Sequence, residues 1–300
     1  VKENTDKSRV KPTIKKKKKS KRILIANKES IICGWNLIKK ITSRYNTEII
    51  PIDSEHFSIM KIIENQNAKN IKKIYLTASG GPFLKHALSR LKNVKPNEAI
   101  KHPKWKMGKK ISIDSATLMN KMLESVEAEK LFSINSEKIE IIIHPESLIH
   151  AIIEFKNGLY KFIYHETTML IPLAKEIFDE NIDIKKILNF KNKTKKNIFF
   201  DNLNFTNVDK KRFPVINLKP VMNRHSSSSI IINAVNEILV DQFLKKRIPF
   251  NSFYTYIQRV LNNRNFKKYA IRIPKNINQI FEIDKWARET TIETIKYENI

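Results

Sequence analysis

Strand-like and helical periods alternate along the first half of this chain, and after about residue 213 only the helical period continues. Apolar runs at 48–52, 71–77 and 139–143 read as strands, whereas 30–43, 54–64 and 115–132 repeat apolar residues at helical spacing. That alternation predicts an α/β core, because helices that follow strands pack back over the sheet. Leu148 to Tyr164 is strand-like on both sides of Asn157-Gly158, which predicts a β-hairpin with a type I′ turn. Residues 181–212 are polar, rich in Lys and Asn and without a period, and read as a linker. Helical spacing at 215–223, 228–246, 250–262 and 276–297 predicts a small helical bundle. The expected fold class is thus an α/β domain of α+β character with a β-hairpin, residues 53–180, followed by a C-terminal helical bundle, residues 213–300. No internal repeat is visible.

Charge and cysteine content narrow the function classes. The 300 residues carry 57 Lys and Arg against 30 Asp and Glu, a formal net charge of +27. Residues 1–22 hold the run Lys15 to Lys19 and no apolar period, which predicts a disordered basic arm. No apolar segment follows the basic run, so it is not a signal peptide. A basic surface attracts nucleic acid, but here aromatics do not interleave with a basic stripe, and the excess Lys, Ile and Asn reads as compositional bias. Specific nucleic-acid binding is therefore not expected. A single cysteine, Cys33, leaves no internal disulfide and suits a reducing, cytoplasmic setting. No apolar run reaches about 18 residues, so no membrane span is expected.

Three motifs carry chemistry. His102 to Glu124, HPKWKMGKKISIDSATLMNKMLE, becomes helical from Ser115, which places Asn120, Lys121 and Glu124 on one face. Ser115 at a helix start, with Asn120 and Lys121, would suit an anion, and Glu124 one turn later a cation. A solvated, capped helix would show the same spacing. Asp53-Ser54-Glu55-His56 follows the strand at 48–52, and carboxylates two apart at a strand end suit Mg²⁺ or Mn²⁺. Leu76-Thr77-Ala78-Ser79-Gly80-Gly81-Pro82-Phe83 follows another strand, and its glycines allow close backbone approach. His144 and Asn236-Glu237 are expected to be structural.

ANKES at 26–30, PIDSEH at 51–56, LTASGGPF at 76–83, HPKWKMG at 102–108, DSATLMNK at 114–121 and IHPESLIH at 143–150 resemble, in order and spacing, the 1-deoxy-D-xylulose 5-phosphate reductoisomerase family. The resemblance starts near Arg22, is strong to about Met169, and returns at 232–237 and 284–288. It implies a divalent metal, Mg²⁺ or Mn²⁺, on Asp53, Glu55 and Glu124. It gives Lys28 and Ser54 contacts to the hydroxylated part of a sugar phosphate, and Ser79, Ser115, Asn120 and Lys121 contacts to the phosphate. His102 and Trp105 would belong to a loop, about 79–108, that closes over the substrate, with Ser147 and His150 nearby. Asn27, Glu29, Gly108 and Met169 would touch NADPH. Lys28, Asp53, Glu55, His102 and Glu124 are the implied catalytic set. The implied reaction turns 1-deoxy-D-xylulose 5-phosphate into 2-C-methyl-D-erythritol 4-phosphate with NADPH, in non-mevalonate isoprenoid synthesis, by a homodimer.

Departures from the family pattern also matter. Met122 stands where the family usually has Gly, and Thr167-Thr168-Met169 where it has Pro-Asp-Met. The five glycines are Gly34, Gly80, Gly81, Gly108 and Gly158, so no Gly-rich dinucleotide loop precedes the match. Residues 23–52 are accordingly expected to be a remnant of a Rossmann-type domain, its strand at 23–26 entered without neighbours. Impaired turnover by this chain alone follows from that expectation. The rivals are an inactive remnant that binds metal and sugar phosphate, and a basic nucleic-acid-binding protein.

Overall fold

The computed structural model describes residues 21–105, 107–178 and 203–297. Residues 1–20 of the expected basic arm 1–22 and most of the expected linker lie outside the described residues, whereas Arg22, the arm's last residue, is ordered as the first residue of a strand. Strand β1 (Arg22–Ile25) leads into helix α1 (Lys28–Tyr45), then β2 (Glu48–Pro51) and α2 (Ser54–Ile63). After β3 (Ile71–Ala78) come α3 (Lys109–Thr117), α4 (Met119–Phe132), β4 (Ile139–Ile143), β5 (Ile149–Phe155), β6 (Tyr160–Tyr164) and α5 (Leu170–Ile177). The two-residue strand β7 (Thr206–Asn207) precedes α6 (Ser228–Leu244), α7 (Phe253–Leu261) and α8 (Ile277–Lys296).

The first strand does have a neighbour, contrary to expectation. β1 and β2 pair in parallel, Ile23 opposite Ile49, with α1 as the connection. The main sheet has the order β6-β5-β3-β4-β7, with β3 and β4 parallel and the other pairs antiparallel. The end of the expected linker supplies β7, which pairs with Ile142 and Ile143. One face of this sheet and the C-terminal helices share a continuous apolar core, from Ile74, Leu76 and Ile153 to Val235, Ile257 and Ile283. Burial of that shared surface, at about 25 cal/mol per Å² of apolar area, fixes the helices against the sheet. Among the described residues no helix is long and apolar enough to cross a membrane.

Two local readings change. The hairpin turn is not type I′, since Gly158 alone in the turn has positive φ, at 85°. Gly158 N–H donates to Phe155 O and Phe155 N–H to Leu159 O, the pattern of a type I turn closed by a glycine bulge. The helix expected over 115–132 is two helices. Leu118 sits between α3 and α4 at φ 68°, a left-handed conformation that costs a bulky L-residue roughly 1–2 kcal/mol. Leu118 is buried, and its side-chain packing offsets that strain. Ser115 consequently lies in the last turn of α3, not at a helix start, while Asn120 and Lys121 open α4.

Candidate active site

The ends of β1, β2 and β3 and the α3–α4 break converge on a cavity of about 250 Å³. Asp53 is the N-cap of α2, yet its carboxylate makes no capping bond and turns to Lys28 instead, at 3.0 Å. Glu55 follows in the first turn of α2, and Glu124 arrives from α4. Oxygens of these three carboxylates lie within 4.8 Å of one another. An all-oxygen set of this kind fits Mg²⁺ or Mn²⁺.

Two ammonium groups thread the carboxylates. Lys28 Nζ donates to Glu124 Oε1 at 2.9 Å and to Asn120 Oδ1 at 2.7 Å. Lys121 Nζ donates to Glu124 Oε2 at 2.6 Å and to Glu55 Oε1. Burial alone would lower the Lys28 and Lys121 pKa values, but the carboxylates outweigh it and both are raised. Burial likewise works against the charged form of Glu55, and Lys121 and His150 reverse it and hold the carboxyl well below its usual value. Three carboxylates against two lysines leave a net negative, nearly dry site, which attracts a divalent cation.

The hydroxyls of Ser79 and Ser115 face each other across His102. His102 Nε2 lies 2.8 Å from Ser79 Oγ and 3.1 Å from Ser115 Oγ. Its Nδ1 accepts from the N–H groups of Lys104 and Trp105, so the lone pair is on Nδ1 and the proton on Nε2. Burial, helped by Lys121, lowers the ring pKa to about 4, which keeps it neutral. Gly81, at φ 66°, brings its turn against α3; a Cβ there would meet Ala116 Cα at 2.7 Å. This close approach holds the Ser79 turn beside Ser115.

The expected anion cradle is thus divided. Ser79 and Ser115 pair with His102, whereas Lys121 and Asn120 face the carboxylates, Asn120 Nδ2 donating to Glu124 at 2.5 Å. Ser54, Trp105, Ser147, His150 and Met169 also line the cavity. Ser54 Oγ donates to Glu55 Oε2 at 2.7 Å, and Trp105 packs edge-on against His150. Ser147 Oγ is buried without a hydrogen-bond partner among the described residues. Of the residues expected to touch a nicotinamide, Met169 alone faces the cavity. Asn27 caps α1 by accepting from Ser30 N–H, Gly108 caps α3, and Glu29 is paired with Lys110.

Several participants were not singled out from sequence. His165 stacks on His150 at 4.0 Å, and burial, with His150, lowers its pKa to about 4. Behind Asp53, fully buried His56 lies 3.4 Å from Glu127, which burial raises to about 7. Glu127 is three residues after Glu124, a helical spacing that points to the same face.

Family models match twice: the 1-deoxy-D-xylulose 5-phosphate reductoisomerase C-terminal domain at residues 49–132, and the DXP reductoisomerase C-terminal domain at 166–290. The 1-deoxy-D-xylulose 5-phosphate reductoisomerase of Pelagibacter ubique is 45% identical over 287 residues, 93% of this chain and 71% of that protein. That of Wolbachia from Brugia malayi is 42% identical over 92% of this chain and 69% of its own. A crystal structure of a DOX-P reductoisomerase with NADPH, fosmidomycin and magnesium superposes with a TM-score of 0.83, at 29% identity, over 97% of this chain and 74% of that one. The Zymomonas mobilis enzyme in complex with NADPH gives 0.78 at 32% identity, over 95% and 72%. Sequence, fold and the convergence of the six motifs on one cavity agree: this chain belongs to the 1-deoxy-D-xylulose 5-phosphate reductoisomerase family.

Proposed function

We propose that this chain carries the family's chemistry, the metal- and NADPH-dependent isomerisation and reduction of 1-deoxy-D-xylulose 5-phosphate to 2-C-methyl-D-erythritol 4-phosphate. The observation that carries this reading is the meeting of Asp53, Glu55 and Glu124 with Ser79, His102 and Ser115 in one cavity. A divalent cation on the three carboxylates supplies Lewis acidity to the sugar's carbonyl and hydroxyl oxygens, and NADPH supplies hydride. Lys28, held on Asn120 and Glu124, is placed to donate to a sugar hydroxyl and to offset negative charge there. The neutral Nε2–H of His102 and the two serine hydroxyls offer donors to the phosphate. A phosphate among them draws Lys121 from Glu55 by charge. Trp105, on the loop between β3 and α3, covers the cavity beside His150 and keeps water out.

In this reading β1, α1 and β2 form a parallel βαβ unit of the NADPH-binding side, 53–180 the catalytic part and 213–300 the helical part. The setting is cytoplasmic, in keeping with one free, buried thiol. Two copies pair along β6, an edge strand whose Tyr160 and Phe162 are 56 and 50% exposed, with Leu159 just before it 56% exposed. Calorimetry tests the assignment directly. The sugar phosphate should bind in the presence of Mn²⁺ and lose most of its affinity in Ser79→Ala/Ser115→Ala. Equal binding by that variant would remove the phosphate site.

A further inference from the structure

Two stretches, Ile232-Asn233-Ala234-Val235-Asn236-Glu237 and Asp284-Lys285-Trp286-Ala287-Arg288, stand apart from the cavity yet end in a partly buried polar network that points toward it. Asp114, 2% exposed on α3, uses both carboxylate oxygens. Its Oδ1 accepts from Asn236 Nδ2 of α6 at 2.7 Å, and its Oδ2 accepts from Lys110 Nζ at 2.9 Å. Lys110 also donates to Glu29 Oε1 of α1 at 3.2 Å. Glu237, the residue after Asn236, accepts from Arg288 of α8 at 2.5 Å, and Arg288 also donates to Asp284.

We propose, on the functional reading above, that Lys110, Asp114 and Asn236 are positioning residues: a relay by which the C-terminal helices fix Lys28 and Ser115 in the site. The relay ends beside both. Glu29 follows Lys28 on α1, and Asp114 precedes Ser115 on α3. Successive helical residues are turned by about 100°, so a helix pinned at Asp114 presents Ser115 to Ser79 and His102 in one fixed rotation. Lys28 is set in the same way toward Asp53 and Glu124. Gly108, the N-cap of α3, roots the loop that bears His102 and Trp105 two residues before Lys110.

Stability is a weak reason for this cluster. Well-packed apolar residues replace buried charges at little or no loss, so Asp114 and Asn236, the buried members, are better explained by the geometry they enforce. Asn236 shows this in its own bonds. Its Nδ2 must face Asp114, because a carboxylate accepts only, while its Oδ1 is buried without a hydrogen-bond partner among the described residues. Lys110 is the hub. Burial opposes its charge, but Asp114, Glu29 and Glu237 prevail and keep it protonated. Glu29, which the resemblance gives to the cofactor, therefore serves as the far anchor of the relay.

The test is a double-mutant cycle read as 1-deoxy-D-xylulose 5-phosphate affinity by calorimetry in Mn²⁺, on the full chain. Asn236→Leu should weaken binding on the order of 10- to 100-fold, as loss of an outer supporting group does. In a Ser115→Ala background the same change should cost a clearly smaller factor, because the share that passes through Ser115 is gone and only the share through Lys110, Glu29 and Lys28 remains. An equal factor in both backgrounds, or no loss in either, would overturn the relay. Should Asn236→Leu fail to fold, Lys110→Met and Lys110→Arg carry the test. Arg, long enough for both carboxylates, should keep wild-type affinity within about 3-fold while Met loses it; equal loss in both overturns the proposal. Wild-type affinity tests the functional reading separately from these ratios, and absence of wild-type binding overturns both.

Discussion

Replacing Glu124 by Gln separates the metal site from the fold. The carboxylate is 1% exposed and accepts from Lys28, Lys121 and Asn120. Removing one partner of a buried ion pair usually costs about 3–5 kcal/mol. Here the wild-type set holds three carboxylates and two ammonium groups, and the variant holds two of each, so each lysine keeps a counter-ion. The cost should fall lower, at about 1–3 kcal/mol, or a drop in Tm of roughly 3–10 °C for a chain of this size. The effect on metal is larger. Outer supporting groups are worth about 10–100-fold in metal affinity, so a direct ligand is worth at least ~100-fold. Mn²⁺ at about 1,000 times the wild-type Kd stabilises by ~4.1 kcal/mol, whereas a site 100-fold weaker gains only ~1.4 kcal/mol. Thermal unfolding with and without Mn²⁺ reads both quantities. A Mn²⁺-dependent rise in Tm as large in Glu124→Gln as in wild type would take Glu124 out of the site.

Other consequences follow from the same contacts. Lys121→Met removes an ammonium that occupies Glu55 and Glu124, so Mn²⁺ alone should bind roughly 10-fold tighter while the sugar phosphate binds more weakly; weaker Mn²⁺ binding, measured by calorimetry, would contradict this. His102 and His165 stay neutral down to about pH 4 when folded, whereas the unfolded chain takes up their protons below about pH 6.5. The folded state therefore loses stability as pH falls from 6.5 to 4, and urea unfolding of His165→Gln should show a shallower loss over that window. Gly81→Ala puts a methyl against Ala116 in a left-handed turn and should cost about 2–4 kcal/mol, with weaker sugar phosphate binding; an unchanged denaturation midpoint would show that the turn has room.

The mixed α/β character was legible because β2, β3 and β4 are short apolar runs bounded by polar turns, and because the helices repeat apolar residues at helical spacing. The family was legible because six motifs kept their order and spacing. Other features depend on single residues or on distant convergence. No periodicity marks Leu118, since Leu is a poor residue for the left-handed conformation that splits α3 from α4 and moves Ser115 to a helix end. The hairpin followed from Asn157-Gly158, but its turn type depends on whether Asn157 joins Gly158 at positive φ, and it does not. Lys28 and Lys121 among the carboxylates reflect charges brought together from residues 28, 53, 55, 121 and 124. Spacing along one helix shows Lys121 beside Glu124 but not the arrival of Glu55. Glu29 lies next to Lys28 in sequence, yet it points to Lys110 because neighbouring helical residues face different ways.

Asp53, Glu55 and Glu124 should hold a divalent cation beside the sugar phosphate. A second set, Asp53, His56 and Glu127, lies directly behind the first and shares Asp53 with it. Anomalous diffraction from crystals grown with Mn²⁺ distinguishes the two. A manganese peak is expected with oxygens of Asp53, Glu55 and Glu124 about 2.0–2.6 Å away and Lys121 withdrawn from Glu55. A peak held by His56 and Glu127 instead, or no peak in the cavity, would mean that the three carboxylates are not the metal site.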